Sequence, residues 1–534
     1  MTEAETNTLS TTTELQRQLD EQRALVEKLQ EELATKEAAW AAEKRSLFEQ
    51  LRLLIDNRFG PSTERYNVQQ QELVFDEAES LIEADEAADT EDDAEPEQPA
   101  APRGKRRRRG GRAPLPPELP RVEIIHDLPS EEGHCSEDGQ ALTCIGEEVS
   151  EQLDIVPARV QVLRHVRRKY ACRACEEGVQ TAPMPAQPLP KSNASPGLLA
   201  YIATAKYQDA LPLYRQEGMF QRLGLDVSRN TLARWMGQLG ELAEPLIRHM
   251  RAELVRGGLI HMDETTVQVN TEPGRTASSP SYMWVQRGGP PDAAIVLFDY
   301  EASRSGAVPR RLLEGYDGAL LTDGYEGYAQ VVRDNGITHA GCWAHARRKF
   351  VEARKAQPKG KKGKADWAVN HIAKLYQVER EAWDRPVAER ERLRAERSRP
   401  LIEELECWLT QTLRQVPPKS ALGKALRYLQ GQWPRLTRFL DDGRIPLDNN
   451  PAENAIRPFV VGRKNWLFSQ TPQGAHASAV LYSLIETAKI NGLEPYDYLL
   501  DVFTHLPAAR DDAEVIALLP WNREQSLPAA ARAG

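Results

Sequence analysis

The spacing of hydrophobic side chains predicts a long helix near the N-terminus. Across residues 12–54 one position of a seven-residue repeat is apolar almost throughout, and it includes Val26, Leu33 and Leu47. The partner position of the repeat is half polar. One clean seam beside a weaker one predicts a short, self-associating coiled coil. The alternative is a single amphipathic helix packed on the protein's own body.

Alternating apolar and polar residues predict a mixed α/β core over residues 257–345. Residues 195–250 and 449–505 have helical periodicity, and residues 346–445 are helical and highly charged, as expected of an insertion. The strand-like runs of the core are GLIHMDETTVQV, SYMWVQRG, AAIVLFDY, GALLTDG and THAGCW, with one helix-like segment near 305–314.

Composition excludes some classes of protein. The 534 residues exceed what one core usually holds, so we expect several domains. The mean hydropathy of -0.57 and the lack of a long apolar run argue against a membrane protein. The N-terminus has no apolar stretch typical of a signal peptide, so we expect a cytoplasmic protein without membrane contact.

The charges are concentrated in two neighbouring blocks. Residues 72–97 contain thirteen acidic and no basic residues, so the net charge of -10 becomes +3 without them, since 69 - 66 = 3. A basic block follows at 103–112. Such runs are typical of disordered linkers, and basic ones also bind nucleic-acid phosphates. The predicted phosphate-binding residues are Arg103, Lys105, Arg106, Arg107, Arg108 and Arg109.

The cysteines predict a small zinc-ribbon-like module. Cys172 and Cys175 have the C-x-x-C spacing that lets two thiolates bind one metal ion. Upstream, Cys135 is followed by Asp138 where a second C-x-x-C pair would place a cysteine. We expect Zn²⁺ bound by these four residues, with Cys144 or His134 as alternative fourth ligands. The other interpretation is a ribbon that folds without metal.

A helix-turn-helix pattern precedes the core. One helix should end near Leu223, Gly224 should form the turn, and Ser228 should cap a second helix. A second helix in this arrangement can enter a major groove, although a plain helical hairpin has a similar pattern. The side chains suited to reading base edges are Arg229, Asn230 and Arg234.

Three acidic residues are candidates for a metal site. Asp263 lies inside a strand-like run, where a carboxylate is costly without a role, and Asp323 closes another such run. Glu453 falls in the first turn of a helix that starts at Asn450-Pro451. Two acids on strands and one on a helix suit a ribonuclease H-like core and two Mg²⁺ ions. The alternative is that each acid is a cap or a surface residue.

Nearby residues favour DNA as the substrate. Basic and aromatic side chains beside an acidic metal site fit a DNA strand with a displaced base. Cys342 and His345 have C-x-x-H spacing without a visible second pair, so a packing or positioning role is favoured. The basic and aromatic residues near Glu453 are Arg457, Arg463, Lys464 and Trp466.

Several long blocks in order resemble a bacterial DDE transposase of insertion-sequence family 66, over nearly the whole chain. Asp138 departs from the cysteine expected in that family's zinc segment, and Asp448 is a second carboxylate close to Glu453. The matching blocks are RFGPSTERYN, IGEEVSEQLDIVPARVQVLRHVRRKYACRAC, HMDETTVQV, LLTDGYEGYA, GCWAHARRKF, DNNPAENAIRP and SLIETAKINGLEPYDYLLDVFTHLP.

The resemblance implies a catalytic domain of retroviral-integrase-like, ribonuclease H-like α/β fold with a helical insertion. It implies binding of the element's terminal inverted repeats, metal-dependent cleavage and strand transfer into target DNA. The catalytic and metal-binding acids would be Asp263, Asp323 and Glu453, with Mg²⁺ or Mn²⁺. Companion proteins of the same element and a nucleoid location in bacteria are further expectations. The rival functions are a non-catalytic DNA-binding regulator and a hydrolytic nuclease.

The predicted protein is therefore multidomain α+β. The expected segments are a coiled coil (1–60), a disordered linker (61–121), a zinc-ribbon-like module (122–190), a helix-turn-helix region (191–250), a catalytic domain (251–480) with an insertion at about 355–445, and a C-terminal element with a tail (481–534).

Overall fold

A computed structural model of the chain describes residues 179–357 and 363–523 continuously, together with parts of residues 22–51 and 121–171. The chain divides into two compact units. The first unit comprises Met1–Asp93 and Asp317–Asn450, and the second comprises Ala94–Tyr316 and Pro451–Gly534. The described secondary structure is mixed α+β and rich in helix.

The helices follow the predicted periodicity. Ser228 caps the helix that begins at Arg229, since its side chain accepts the Thr231 backbone N–H. The α-helices from residue 179 onward are α1 Pro196–Tyr207, α2 Leu213–Arg222, α3 Arg229–Leu254, α4 Ala307–Leu312, α5 Ala329–Asn335, α6 Trp343–Lys355, α7 Lys364–Ala382, α8 Val387–Leu393, α9 Arg399–Leu413, α10 Ala421–Leu436, α11 Asn450–Trp466, α12 Pro472–Ile490, α13 Pro495–His505 and α14 Asp512–Ile516.

The strands lie where the alternating runs predict them. In the second unit β3, β4 and β5 pair antiparallel in the order β5-β4-β3. In the first unit β6 and β7 pair in parallel, and α5 connects them. The strands are β1 Lys169–Tyr170, β2 Gln180–Thr181, β3 Leu259–Gln268, β4 Pro280–Gly288, β5 Ile295–Glu301, β6 Ala319–Thr322 and β7 Thr338–Gly341.

The cysteine-bearing module differs from the sequence prediction in one respect. The run VPARVQVLRHVRRKYAC (residues 156–172) alternates like a strand and so predicts one, but among its described residues only Lys169–Tyr170 pairs, with Gln180–Thr181. Residues 159–168 are exposed and carry no strand assignment. A strand needs a partner for its backbone hydrogen bonds, and alternation alone does not supply one.

The buried helix α12 organises the second unit. Its Ser483 and Thr487 hydroxyls accept the backbone N–H groups of Phe298 and Val296 at 2.7 and 3.0 Å. These bonds satisfy donors on β5 that would otherwise form an open sheet edge. Gly240 lets α3 approach α12 closely, because an added Cβ would lie 2.8 Å from the Cα of Ala477.

The helices between α6 and α11 form a packed bundle in the first unit. Arg394 is almost completely buried there, and its guanidinium donates to Glu379 at 2.6 and 2.8 Å. It also donates to the carbonyl of Phe439 at 2.7 Å, so the buried charge is paired. Within the described part of the chain, no helix combines the length and hydrophobicity needed to cross a membrane.

Candidate active site

Asp263 lies in the middle of β3, directly after the buried Met262 and opposite Val285 on β4. Its Oδ1 accepts the backbone N–H of Glu264 at 2.9 Å. An ionised carboxylate has about four lone-pair sites, so a carboxylate that accepts a backbone N–H can also bind a metal ion. The position inside a paired strand gives the carboxylate a rigid backbone.

Arg287 ties the beginning of α11 to the strand beside β3. Its Nη1 donates to the carbonyl of Pro451 at 3.1 Å. Arg287 follows Val285 by two residues on β4, so it lies on the same sheet face as Asp263, as its diagonal neighbour. Glu453 is two residues beyond Pro451. The bond therefore brings the turn that carries Glu453 to the face that carries Asp263.

The charge of Arg287 persists although the side chain is largely buried. Burial lowers the pKa of Arg287 from its ordinary value. The ordinary pKa of an arginine lies far above neutral pH, so the guanidinium remains charged at neutral pH. This fixed positive charge attracts nearby carboxylates. The N-terminal end of α11, where Glu453 lies, attracts negative charge as well.

The far end of α11 is attached to β3 as well. The Nη1 of Arg463 donates to the hydroxyls of Thr265 and Thr266 at 3.1 and 3.3 Å, and burial lowers the pKa of this arginine. Trp466 packs edge-on against Phe459, at 5.4 Å between ring centroids. Arg463, which the sequence assigns to a DNA surface, therefore also anchors the helix to β3, whereas the Trp466 contact with Phe459 lies within α11.

The first unit presents Asp323 at the carboxyl end of β6. Its Oδ1 accepts the Tyr325 backbone N–H at 2.8 Å, which fixes the turn after the strand. Gly324 allows α10 to approach this turn, because an added Cβ would lie 3.0 Å from the Gln432 amide and 3.2 Å from the Tyr428 hydroxyl. Burial, followed by the charges of Cys342 and Asp323, raises the pKa of Tyr428 above its usual range.

His339 belongs to the same strand pair. Burial, and to a smaller extent the charge of Arg435, lowers the pKa of His339 to about 3. Its Nε2 lies 2.8 Å from the Thr322 hydroxyl, which donates to the Asp323 carbonyl. Since that hydroxyl has one proton, the neutral imidazole donates from Nε2. His339 thus supports the backbone at Asp323 without carrying charge.

Cys342 occupies the carboxyl end of β7, beside that of the parallel strand β6. It is buried, and its Sγ accepts the Asn449 backbone N–H at 3.3 Å. The backbone N–H of Trp343 donates to the Leu447 carbonyl at 2.9 Å. These two bonds hold the segment that leads into α11, so the packing role expected of Cys342 has a definite partner.

Asp448 is engaged in local structure. Its Oδ1 accepts the Asn450 backbone N–H at 3.2 Å, at the beginning of α11. Burial, and then the neighbouring Asp448 carboxylate to which its hydroxyl bonds, raises the pKa of Tyr376 well above the ordinary range. A carboxylate with these two partners serves to start the helix.

The candidate recognition helix is α3. Arg229, Asn230 and Arg234 are exposed on its first turns, whereas Trp235 is buried. The Arg229 backbone N–H donates to the Glu217 carboxylate on α2 at 3.0 Å, so the two helices are joined at the turn. The three polar side chains therefore lie on the outer face of a fixed helix.

Several sequence predictions lie outside the described residues. They concern most of the N-terminal heptad repeat, although residues 25–37 are helical and exposed. They also concern the basic block (Arg103, Lys105, Arg106, Arg107, Arg108 and Arg109) and the four zinc-ligand candidates (Cys135, Asp138, Cys172 and Cys175).

The sequence does not reveal the contacts that Arg287 makes within the second unit, or those that Tyr376 and Tyr428 make within the first. Arg287 is one of many arginines, and its partner Pro451 is 164 residues away. Tyr376 and Tyr428 lie in the charged helical segment, and nothing in their spacing marks them. A weak signal exists only for Arg287, which stands at the end of an otherwise apolar strand run.

Four protein-family models match the chain. The model described as "Transposase IS66 family" matches residues 191–477. The "zinc-finger binding domain of transposase IS66" matches residues 132–176, and the "IS66 C-terminal element" matches residues 483–521. Residues 46–124 match "Transposase C of IS166 homeodomain". The matches follow one another along most of the chain.

Curated relatives occur in Sinorhizobium fredii. The uncharacterized protein y4jD is 36% identical over 422 residues, which cover 76% of this chain and 81% of that protein. The uncharacterized protein y4qI is 34% identical over 429 residues, covering 77% of this chain and 78% of that protein. The similarity thus extends over most of the length on both sides.

Proposed function

The chain belongs to the IS66 transposase family, and from this membership we propose that it is a DDE-type DNA transposase. It binds the terminal inverted repeats of an insertion sequence, cleaves at their ends and joins the freed ends to target DNA. The observation that carries the proposal is the Arg287 bond to Pro451, which brings the helix start with Glu453 to the sheet face of Asp263.

Asp263, Asp323 and Glu453 are proposed to hold two Mg²⁺ or Mn²⁺ ions in a ribonuclease H-like core. The donor set consists of carboxylate oxygens, the ligands that these cations prefer. When bound, such ions activate the attacking oxygen and stabilise the leaving oxygen of a phosphodiester. Arg287 and Arg463 position α11, while His339 and Thr322 fix the backbone at Asp323.

The decisive experiment is a cleavage and joining assay with a duplex carrying the element's inverted-repeat end, a target plasmid and Mg²⁺. Asp263→Asn, Asp323→Asn and Glu453→Gln should each abolish both steps and leave DNA binding intact. Asp292→Asn, which changes an exposed acid of the second unit, is the matched control. Full joining by any of the first three variants would contradict its assigned role.

The same assay separates the rival functions. Cleavage without joining would identify a hydrolytic nuclease on this fold. Sequence-specific binding without either step, under all metal conditions, would identify a DNA-binding regulator. Dependence on proteins encoded by the same element would appear as activity restored by their addition.

Residues Arg229, Asn230 and Arg234 on α3 are proposed to read the inverted repeat, and the basic block to contact phosphates. Arg229→Ala with Arg234→Ala should cost about 1–3 kcal/mol per lost base contact on cognate DNA only. Neutralising the basic block should weaken binding to all duplexes and flatten the salt dependence. Equal loss on cognate and scrambled duplexes from the α3 change would refute base reading.

The zinc-finger match supports a bound Zn²⁺ in the N-terminal module. Cys135, Cys172 and Cys175 would be three ligands, with Asp138 as the fourth. Elemental analysis should find one zinc per chain, and Asp138→Ala should weaken its retention more than Asp127→Ala. If the purified protein is folded and contains no zinc, the module is a ribbon that folds without metal.

Self-association through the N-terminal helix is the remaining proposal, together with action on DNA in the bacterial nucleoid. The described helical residues expose an apolar seam that includes Val26, Leu33 and Leu47. A chain that lacks residues 1–60 should have a lower mass by light scattering than the full chain. An unchanged number of subunits would indicate an intramolecular helix instead.

A further inference from the structure

The turn that follows α11 holds two apolar side chains in solvent. Leu467 is 65% exposed and Phe468 is 43% exposed. The φ angle of Leu467 is +65°, in the left-handed region that a leucine rarely adopts. Such a conformation persists only where the surrounding structure imposes it, and it occurs often at functional sites.

Backbone hydrogen bonds fix this turn on both sides. The N–H of Leu467 donates to the Arg463 carbonyl at 2.7 Å, and the N–H of Ser469 donates to the Gln268 carbonyl at 2.9 Å. Ser469 also forms a parallel bridge with Val269, directly after β3. The apolar pair therefore projects from a rigid support that is continuous with the strand of Asp263.

Amide side chains lie beside the apolar pair. The Nε2 of Gln268 donates to Asn270 at 3.2 Å, and the Nδ2 of Asn270 donates to Gln470 at 3.3 Å, all at the surface. Gln268, Asn270 and Gln470 thus supply neutral donors and acceptors next to Leu467 and Phe468.

Positive charge lies behind the turn. The Nζ of Lys206 is 5.2 Å from the centre of the Trp466 ring. Burial lowers the pKa of Lys206 to about 8, so this ammonium group is still mainly charged at pH 7. Lys464 is exposed on the last turn of α11. The exposed charge of Lys464 near a protruding apolar pair complements a polyanion that has apolar faces inside it.

We propose that Leu467 and Phe468 form a wedge that enters the minor groove of the bound DNA and unstacks one base step. This inference rests on the proposed function, because it needs the chain to bind duplex DNA. Proteins of this kind read the minor groove with Asn, Gln and Lys and insert Leu or Phe between base pairs, which kinks the duplex. The turn, the adjoining end of α11 and the residues after β3 together offer each of these side-chain types.

The position of the wedge predicts where the distortion occurs. Gln268, to which the turn is bonded, lies at the end of β3, beyond Asp263. At about 3.3 Å per residue the two positions are about 17 Å apart along the strand. With about 3.4 Å per base step, the unstacked step should lie within roughly five steps of the cleaved phosphate.

The experiment is permanganate footprinting of a duplex that carries the element's inverted-repeat end, with thymines placed at successive positions. The full chain is used in an Asp263→Asn background, so that the DNA stays intact. We expect one position to become about tenfold more reactive, as an unstacked base does. Leu467→Gly and Phe468→Ser should abolish this signal while the duplex remains bound.

The variants separate the wedge from folding. Glycine adopts a φ of +65° readily, so Leu467→Gly removes the side chain and relieves the backbone. Trp383→Ser, which changes an 81% exposed aromatic residue of the first unit, is the matched control and should keep the signal. Without the Asp263→Asn change, Leu467→Gly and Phe468→Ser should each reduce cleavage. A mismatch placed at the reactive base step should restore it.

Three outcomes would overturn the wedge. One is a bound duplex with no reactive step, and a second is a signal that survives both substitutions. The third is a change in the number of subunits without a change in reactivity, which would assign the apolar pair to contact with a second copy of the chain. Footprinting needs binding but not cleavage, so loss of the proposed catalysis would leave this test readable.

Discussion

In the second unit the residues that position the candidate acids are arginines, whereas in the first unit they are tyrosines, a neutral histidine and a buried cysteine. Arg287 and Arg463 attach α11 to the strands by charged donors. Around Asp323, His339 donates as an uncharged ring and Tyr428 stays protonated.

This difference has a physical consequence. A guanidinium keeps its charge over the whole pH range in which proteins fold. Its planar arrangement of N–H donors fixes the direction of its hydrogen bonds as well as their length. Histidine changes its charge more readily, so the support of Asp323 depends on burial that keeps His339 neutral. The second unit should therefore respond most to loss of an arginine, and the first unit most to pH.

Among the residues that position the acids, the largest effect is expected from Arg287→Met. Without the bond to the Pro451 carbonyl, the first turn of α11 loses its attachment to β4, and misplacement of a catalytic group by about 1 Å can cost roughly 100-fold in rate. We expect the cleavage rate to fall by about that factor, with unchanged affinity for the inverted-repeat duplex.

Arg287→Lys tests the geometry of the hydrogen bond to Pro451, since lysine retains the charge but not the planar guanidinium. This variant should cleave faster than Arg287→Met but more slowly than the wild type. Arg256→Met is the matched control, because Arg256 is an exposed arginine of the same unit whose side chain pairs with Glu253 on the surface. A wild-type rate for Arg287→Met would show that α11 is held by other contacts.

The next effect concerns Asp448 and Tyr376 in the first unit. Asp448→Asn removes the charged acceptor of a buried hydroxyl, so we expect a loss of about 1–3 kcal/mol in the free energy of unfolding. Cleavage should persist in the folded fraction, in contrast to Glu453→Gln. Denaturant unfolding and single-turnover cleavage measure the two quantities.

Tyr376→Phe is the companion variant, since it removes the hydroxyl and leaves Asp448 with the Asn450 backbone N–H. It should destabilise the chain without changing the metal dependence of cleavage. Complete loss of cleavage in folded Asp448→Asn, together with activity in Glu453→Gln, would move the third catalytic role to Asp448.

A smaller, pH-dependent effect is expected from His339. Its pKa of about 3 in the folded chain lies below the ordinary value of 6.5. Between these values the unfolded chain binds a proton that the folded chain does not, so stability falls as the pH drops from about 6.5 towards 3. Hydrogen exchange of β6 and β7 should rise over this range in the wild type.

His339→Gln should flatten that dependence, because the amide does not titrate. Arg435→Gln removes the second cause of the lowered pKa and should weaken the dependence in the same direction. An unchanged exchange profile in His339→Gln would assign the acid sensitivity of these strands to other groups.

The smallest effect has the opposite sign and belongs to the second unit. Hydrogen bonding to Glu244, with Nε2 to Oε1 at 2.6 Å, raises the pKa of His476 above 6.5. The stabilisation is present below 6.5 and is lost as the pH rises through the raised value. Because the pair is half exposed, the change should be only a few tenths of a kcal/mol.

Glu244→Gln is the variant that tests this link between α3 and α12. This variant should lose less stability than the wild type as the pH rises through the pKa of His476. The dependence of stability on pH at acid pH should stay unchanged. If both units lost stability in the same pH direction, the contrast between them would not hold.

The sequence by itself determined the family and most of the local structure. The resemblance to the IS66 transposases is confirmed by the family models. The strand runs, the Ser228 cap and the beginning of α11 at Asn450 are found where the sequence predicts them. Periodicity and capping act over a few neighbouring residues, so one sequence is enough to reveal them.

Tertiary structure decided which side chains serve the candidate site. Arg287 finds its partner 164 residues away, and Arg463 contacts a threonine 198 residues away, so neither spacing nor residue type indicates these bonds. Of the described residues in the strand-like run 156–172, only Lys169–Tyr170 forms a strand, since pairing depends on a partner strand. The roles of such residues follow from contacts between distant parts of the chain, which a local pattern does not contain.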